Sequence, residues 1–185
     1  EIIAPIVNDF LITYPDINIQ LDLINQRIDL LGDGFDIAIR LGHLEDSQLI
    51  ARKIASRKLY VCASPEYLKT HGIPSTLKEL RQHNCLIGTA EYWRFQHKGK
   101  VERINISGRL RCNSGHGLTN AALKGIGLIQ LPDYYIQPYI DSGRLIHLLE
   151  QYQEPDEGIW AVYPDKYFLP FKIKAFIDFV KSKLE

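Results

Sequence analysis

Arg40 and Gly42 close the run Gly34-Phe-Asp-Ile-Ala-Ile-Arg-Leu-Gly42, so a guanidinium and then a glycine stand where an alternating apolar stretch ends. A planar fork of N–H donors at such a place can pair two-pronged with a carboxylate. That chemistry holds a small organic acid rather than transforming it. An internal ion pair to Asp36, Glu45 or Asp46 is the competing use of the same charge. Asn25 and Ser114 each stand where a helix is expected to begin. The free N–H groups of a first helical turn attract anions, and plain capping explains the same two residues. Gly88-Thr89 and Asn113-Ser114-Gly115 follow short extended stretches, a recurrent location of binding groups, and Thr89 adds a hydroxyl. Ser64 lies at a strand-to-helix junction before Pro65, and Pro132 stands where a further strand ends.

Reactive constellations are missing from the pattern. The chain has no Gly-x-Ser-x-Gly elbow, no Gly-x-x-x-x-Gly-Lys phosphate loop and no flagged carboxylate pair, so no catalytic residue is assigned. Cys62, Cys85 and Cys112 are far apart, and no Cys-x-x-Cys or paired His spacing occurs, so neither a metal nor another cofactor is expected. His43, His97 and His116 are scattered, with solvent exposure as the default. Trp93-Arg94-Phe95 has the makings of a base-stacking platform. Set beside 22 basic and 22 acidic residues, it reads as a strand with Trp93 and Phe95 packed, and the chain itself is a poor candidate for gripping nucleic acid.

The elements that must position these groups follow from periodicity. Ile3, Ile6, Val7, Phe10, Leu11 and Tyr14 fall at helical spacing, and Tyr14-Pro15 stops that helix. Ile17, Ile19, Leu21 and Leu23 alternate as a strand, Asn25 opens a short helix over Gln26 to Asp33, and Gly34 marks its end. With the strand from Gly34 to Gly42, covered on both faces, the rhythm is that of an α/β protein with a parallel sheet. Extended pieces follow at 49–54 and 58–63, then helices opened by Ser64-Pro65 and Ser75-Thr76. From Cys85 the texture changes to short strands, with a hairpin turn at Lys98-Gly99-Lys100. A helix from Ser114 to Lys124 closes at Gly125, Gly127 to Leu131 is a buried strand, and Asp133 caps another helix. Ile159 to Tyr163 alternates again, and Phe171, Ile173, Phe176, Ile177 and Val180 line a terminal amphipathic helix. The extended segments near 58–64 and 159–164 bracket the middle block, as the crossings of a two-lobed clamp do.

With 45% hydrophobic residues the chain can bury a full core, and no apolar run reaches the ~20 residues of a membrane span. Three separated cysteines fit reduced thiols in a cytoplasm. The absence of methionine suggests a piece of a longer protein.

Six pieces occur in order. They are Phe10-x-x-x-Tyr14-Pro15, the run from Gly34 to Gly42, Leu49-x-Ala51-Arg52, Cys62-Ala-Ser-Pro-x-Tyr-Leu68, Ala122-x-x-Gly-x-Gly127-x-x-x-Leu131-Pro132 and Phe176-Ile-Asp-Phe-Val180. Together they resemble the effector-binding domain of the LysR-type transcriptional regulators, over essentially the whole chain. The resemblance implies two periplasmic-binding-protein-like α/β lobes, residues 1–63 with 164–185 and residues 64–163, joined by two crossover strands. It implies a small-molecule effector in the inter-lobe cleft, with Asn25, Arg40, Gly42, Ser64, Gly88, Thr89, Asn113, Ser114, Gly115 and Pro132 as candidate contacts. It also implies a homodimer or tetramer in which the first helix packs against the partner's helix near 114–124. DNA would be bound only through a winged helix-turn-helix that, with the first strand of the first lobe, lies outside this stretch. RNA polymerase is a possible partner of the full-length protein, and no membrane is. A stand-alone solute-binding protein and a two-lobed enzyme are the alternatives.

Overall fold

The computed structural model describes residues 2–25, 28–42, 44, 49–164 and 169–184. The chain divides into two compact units, Glu1–Ser56 with Glu157–Glu185, and Arg57–Asp156.

In the first unit, helix α1 (Ile3–Thr13) buries Ile6, Val7 and Phe10. The Phe10 ring meets Phe176 edge-on at 5.2 Å and Phe179 at 5.3 Å, both on the terminal helix α5 (Phe171–Leu184). Strands β1 (Ala38–Leu41), β2 (Leu49–Arg57) and β8 (Glu157–Pro164) form a sheet in the order β1-β8-β2. The pairing of β1 with β8 is antiparallel, Arg40 opposite Trp160, which corrects the expectation of a parallel sheet here. The reason lies in the connection: β8 enters beside the end of β1, where Gly42 N–H donates to Gly158 at 2.9 Å, and runs back along it. Nor is β1 covered on both faces, since Leu41 is 45% exposed.

The strand expected at Ile17 to Leu23 does not form: residues 17–24 carry neither helix nor strand, Asn25 stands at a bend, and Leu21 and Leu23 are exposed. Residues 30–34 make a turn rather than a helix. Asp33 N–H bonds to the Asp29 carbonyl at 2.8 Å, the Asp29 carboxylate takes the N–H of Leu31 at 3.2 Å, and Gly34 ends the turn at φ 75°. A side chain that bonds its own backbone competes with helix propagation. Gln26 and Arg27, the expected first turn, lie outside the described residues.

In the second unit, strands β3 (Leu59–Ala63), β6 (Ile129–Pro132) and β7 (Ile146–Leu148) pair antiparallel in the order β6-β3-β7. Helices α2 (Pro65–His71), α3 (Gly115–Leu123) and α4 (Asp133–Asp141) pack around them. The hairpin β4 (Tyr92–His97) and β5 (Lys100–Asn105) turns at Lys98 (φ 51°) and Gly99 (φ 77°). Two successive left-handed residues match the twist of a hairpin. Trp93 and Phe95 are buried, as packed strand residues rather than a platform. Parallel character is found here, where Cys85 bridges Leu128 and Ile87 bridges Arg111. No helix among the described residues is long and apolar enough to cross a membrane.

Candidate functional site

Three extended segments of the second unit run side by side in one direction. Leu86 N–H donates to Leu128 at 2.8 Å, Leu128 N–H to Asn84 at 2.9 Å, Ile87 N–H to Leu110 at 2.9 Å and Cys112 N–H to Ile87 at 2.9 Å. Their carboxyl ends therefore share one edge, which carries Gly88-Thr89, Asn113-Ser114-Gly115 and Pro132. Thr89 and Asn113 are exposed on it, Ser114 and Gly115 half-buried, Pro132 buried.

Two helices start at the same edge. Ser114 Oγ accepts the N–H of Gly117 at 3.3 Å and so caps α3, while Asp133 Oδ1 accepts the N–H of Tyr134 at 2.9 Å at the start of α4. The first-turn N–H groups left over give the edge a partial positive charge. Gly115 is required by packing, because a Cβ there would run into the ring of Tyr135. That ring meets His116 edge-on at 5.2 Å and lies 4.7 Å from Tyr134.

Charged groups that sequence reasoning did not single out also stand here. Arg111 pairs with Glu91, tying the stretch after Thr89 to the stretch before Asn113. Arg57, which opens the unit, donates to Tyr134 Oη at 3.4 Å, beside the bond from Asp133 N–H to the carbonyl of Lys58 at 2.9 Å. Nothing in the spacing of Arg57, Glu91 and Arg111 marks them, since the register of distant segments is what joins them.

The other candidates are placed differently. Ser64 is fully buried and its Oγ accepts the N–H of Tyr67 at 3.3 Å, capping α2. Because β3 runs against β6, with Leu59 opposite Pro132, Ser64 and Pro132 stand at opposite ends of that sheet. In the first unit Arg40 Nη2 donates to the carbonyl of Ile28 at 3.2 Å. The Asp36 carboxylate, a rival partner for Arg40, lies 3.6 Å from Lys172 Nζ, and Glu45 and Asp46 lie outside the described residues. Gly42 is structural, with φ 85°, its N–H on Gly158 and its carbonyl taking the indole N–H of Trp160 at 2.9 Å. Asn25 is exposed at a bend. A separate cavity of about 340 Å³ in this unit is lined by Phe10, Ile17, Ile19, Phe35, Ile37 and Phe176, with Lys172 and Asp36 at its margin.

The arrangement suits binding. No cluster of three or more metal-ligating side chains occurs among the described residues.

The whole chain, residues 1–185, matches the LysR substrate binding domain. It is 35% identical over 175 residues to an uncharacterized HTH-type transcriptional regulator of Haemophilus influenzae, covering 92% of this chain and 61% of that one. It is 30% identical over 185 residues to the HTH-type transcriptional activator TtdR of Escherichia coli K12, covering 97% and 59%. The chain thus spans about three-fifths of the length of these curated relatives. Among solved structures, the full-length Vibrio cholerae virulence activator AphB superposes with a TM-score of 0.84 at 32% identity, covering 98% of this chain and 63% of AphB. The regulatory domain of CrgA from Neisseria meningitidis does so at 0.82 and 33%, covering 99% and 92%. With a match from end to end, the chain belongs to the family of LysR substrate binding domains, with their two-lobed periplasmic-binding-protein-like fold.

Proposed function

We propose that the chain is the ligand-sensing part of a LysR-type transcriptional regulator and that its effector is a small organic acid. The observation that carries this reading is the edge formed by Thr89, Asn113, Ser114 and Pro132. It combines the carboxyl ends of three segments, a hydroxyl, an amide and the N-termini of α3 and α4. In open α/β architectures ligands collect beyond the carboxyl ends of strands. Arg40, in the first unit, is proposed in its own right as an effector contact, exchanging its bond to Ile28 for a carboxylate. The effector would act by binding one conformation of the regulator more tightly than another. The reading assigns no catalytic step to the chain.

The remaining parts rest on the family. Helix α1 leaves Ile12 80% exposed, which supports a role in a homodimer or tetramer. DNA would be contacted through a domain outside this chain, RNA polymerase through the full-length protein, and the setting would be cytoplasmic, as the relatives' names as transcriptional regulators suggest.

A thermal-shift screen of small mono- and dicarboxylic acids, followed by calorimetry on the hits, tests the reading. The Thr89→Val and Arg40→Gln variants should each bind a hit at least tenfold more weakly while melting within a few degrees of the parent. Hits whose affinity neither variant alters would place the site elsewhere; hits confined to uncharged compounds would refute the acid.

A further inference from the structure

A buried polar chain runs through the second unit, away from the edge just described. His83 is 8% exposed and Tyr67 2%. Tyr67 Oη lies 3.3 Å from His83 Nδ1 and accepts the backbone N–H of Asn84 at 3.0 Å. A backbone N–H can only donate, so the phenol oxygen accepts there; with an unprotonated Nδ1 on His83, the phenol's own proton has its acceptor in that nitrogen. That satisfies every partner only when the imidazole is neutral and carries its proton on Nε2.

Asn84 is where the three parallel segments are pinned together. Its carbonyl takes the N–H of Leu128 at 2.9 Å, its Nδ2 donates to Ile126 at 2.5 Å, and its Oδ1 takes the N–H of Arg109 at 2.9 Å. Gly108 and Gly127 permit this closeness, since a Cβ on either would collide with the carbonyl of Cys85 or Asn84. The joint thus fixes the starts of the segments whose far ends carry Thr89, Asn113 and Pro132.

We propose that His83 is a proton-operated latch on this joint: a proton on its ring unseats the Tyr67 hydroxyl and loosens the Asn84 pin. A charged ring turns Nδ1 into a donor, leaving the buried phenol proton without an acceptor. The groups known to act on this site are few. His71 stacks on Tyr67 at 4.2 Å, 11° from parallel, and its charge opposes that of His83. Glu79 attracts the charge, but its carboxylate is already bonded to Ser75 N–H at 2.8 Å and Thr76 Oγ1 at 3.0 Å. The Cys85 thiol is pushed up to about 12 by burial and stays neutral. Burial, the largest cause, holds His83 below the ordinary value of 6.5.

The sign follows from proton counting. Below that ordinary value the open state binds a proton that the latched state resists, so latching weakens as pH falls. One proton changes the opening equilibrium by at most about tenfold per pH unit. The effect is independent of whether any effector binds at the far edge.

Amide hydrogen exchange on the 185-residue chain at pH 7.5 and 5.5, corrected for intrinsic rates, tests the latch. Protection of Arg109 and Leu128 should fall several-fold at pH 5.5 relative to amides of β3, and His83→Gln should abolish that difference. Tyr67→Phe should also abolish it, with lower protection already at pH 7.5, whereas His71→Gln should retain it. Protection unchanged by pH in the parent would overturn the proposal. So would an undiminished pH response in His83→Gln or, should that variant not fold, in Tyr67→Phe. Loss of the response in His71→Gln would assign the sensing to His71 instead and overturn it equally.

Discussion

Replacing Gly127 by alanine is a stringent test of the packing around Asn84. The φ of Gly127 lies outside the left-handed region, so alanine can adopt its backbone conformation and the penalty is steric alone. The new Cβ would fall inside 3.0 Å of the Asn84 carbonyl oxygen, and 3.0 Å from both Asn84 Nδ2 and Leu86 Cδ2. Backbone cannot yield as a flexible side chain does, so the 126–128 segment must withdraw from 84–86. That withdrawal stretches the Leu128-to-Asn84 bond of 2.9 Å and the Leu86-to-Leu128 bond of 2.8 Å. Overpacking costs roughly 1 to 3 kcal/mol and each weakened buried bond about 1 kcal/mol, for an expected loss on the order of 4 kcal/mol. A domain with 5 to 15 kcal/mol of stability, roughly, keeps its fold but with a much lower urea midpoint. Urea titration followed by Trp93 fluorescence in a Trp160→Phe background reads this unit alone. Gly72→Ala is the control, since φ there is +83° with nothing within 4 Å of the new methyl, and strain costs roughly 1 to 2 kcal/mol. A Gly127→Ala loss below about 1 kcal/mol, or no larger than that of Gly72→Ala, would refute the steric argument.

Two further outcomes are expected in the same unit. Glu154 is 8% exposed and its Oε2 lies 2.7 Å from Arg94 Nη2 as an ion pair without an aligned hydrogen bond. Arg94→Met should cost roughly 3 to 5 kcal/mol by leaving that carboxylate uncompensated. The Arg94→Met/Glu154→Met double variant should recover most of the loss; equal losses in both would show that the stem of Arg94 matters rather than its charge. Burial pushes the thiols of Cys62 and Cys85 up to about 12, while Cys112 is half-buried. Iodoacetamide at pH 8 should modify Cys112 alone in the native chain and all three thiols in urea, as mass spectrometry would read; fast native labelling of Cys62 or Cys85 would contradict their burial.

Features written in local spacing were legible in the sequence. The α1 stripe from Ile3 to Phe10, the Lys98-Gly99 turn, the Ser114 cap and the packing of Trp93 and Phe95 need only a few neighbouring residues to specify them. Features that depend on strand direction were not. The partner of β1 is β8, well over a hundred residues away, so Ile39 and Arg40 give no hint that the ladder is antiparallel. Ser64 reads as a junction residue in sequence, and only the opposed course of β3 and β6 sets it away from Pro132. The stretch from Gln26 to Asp33 reads as helix because Asn25 suits its start and Gly34 its end, yet the Asp29 carboxylate takes the N–H of Leu31 in a local turn. Asn84 was invisible because its partners, Arg109, Ile126 and Leu128, meet it only after three segments align.

The first unit is assembled from both ends of the chain, with Arg57–Asp156 inserted between them. On a ribosome, α1 and β1 emerge before the second unit, but Phe176 and the partner strand β8 come only after the whole of that unit has been made. At roughly 5 to 20 residues per second that delay is on the order of ten seconds. The second unit, contiguous in sequence, can close during that interval, whereas the first must bring together rings at positions 10 and 176. Such long-range closure is slow, so the early apolar face of Ile6, Val7 and Phe10 is the surface that nascent chains must keep from wrong partners.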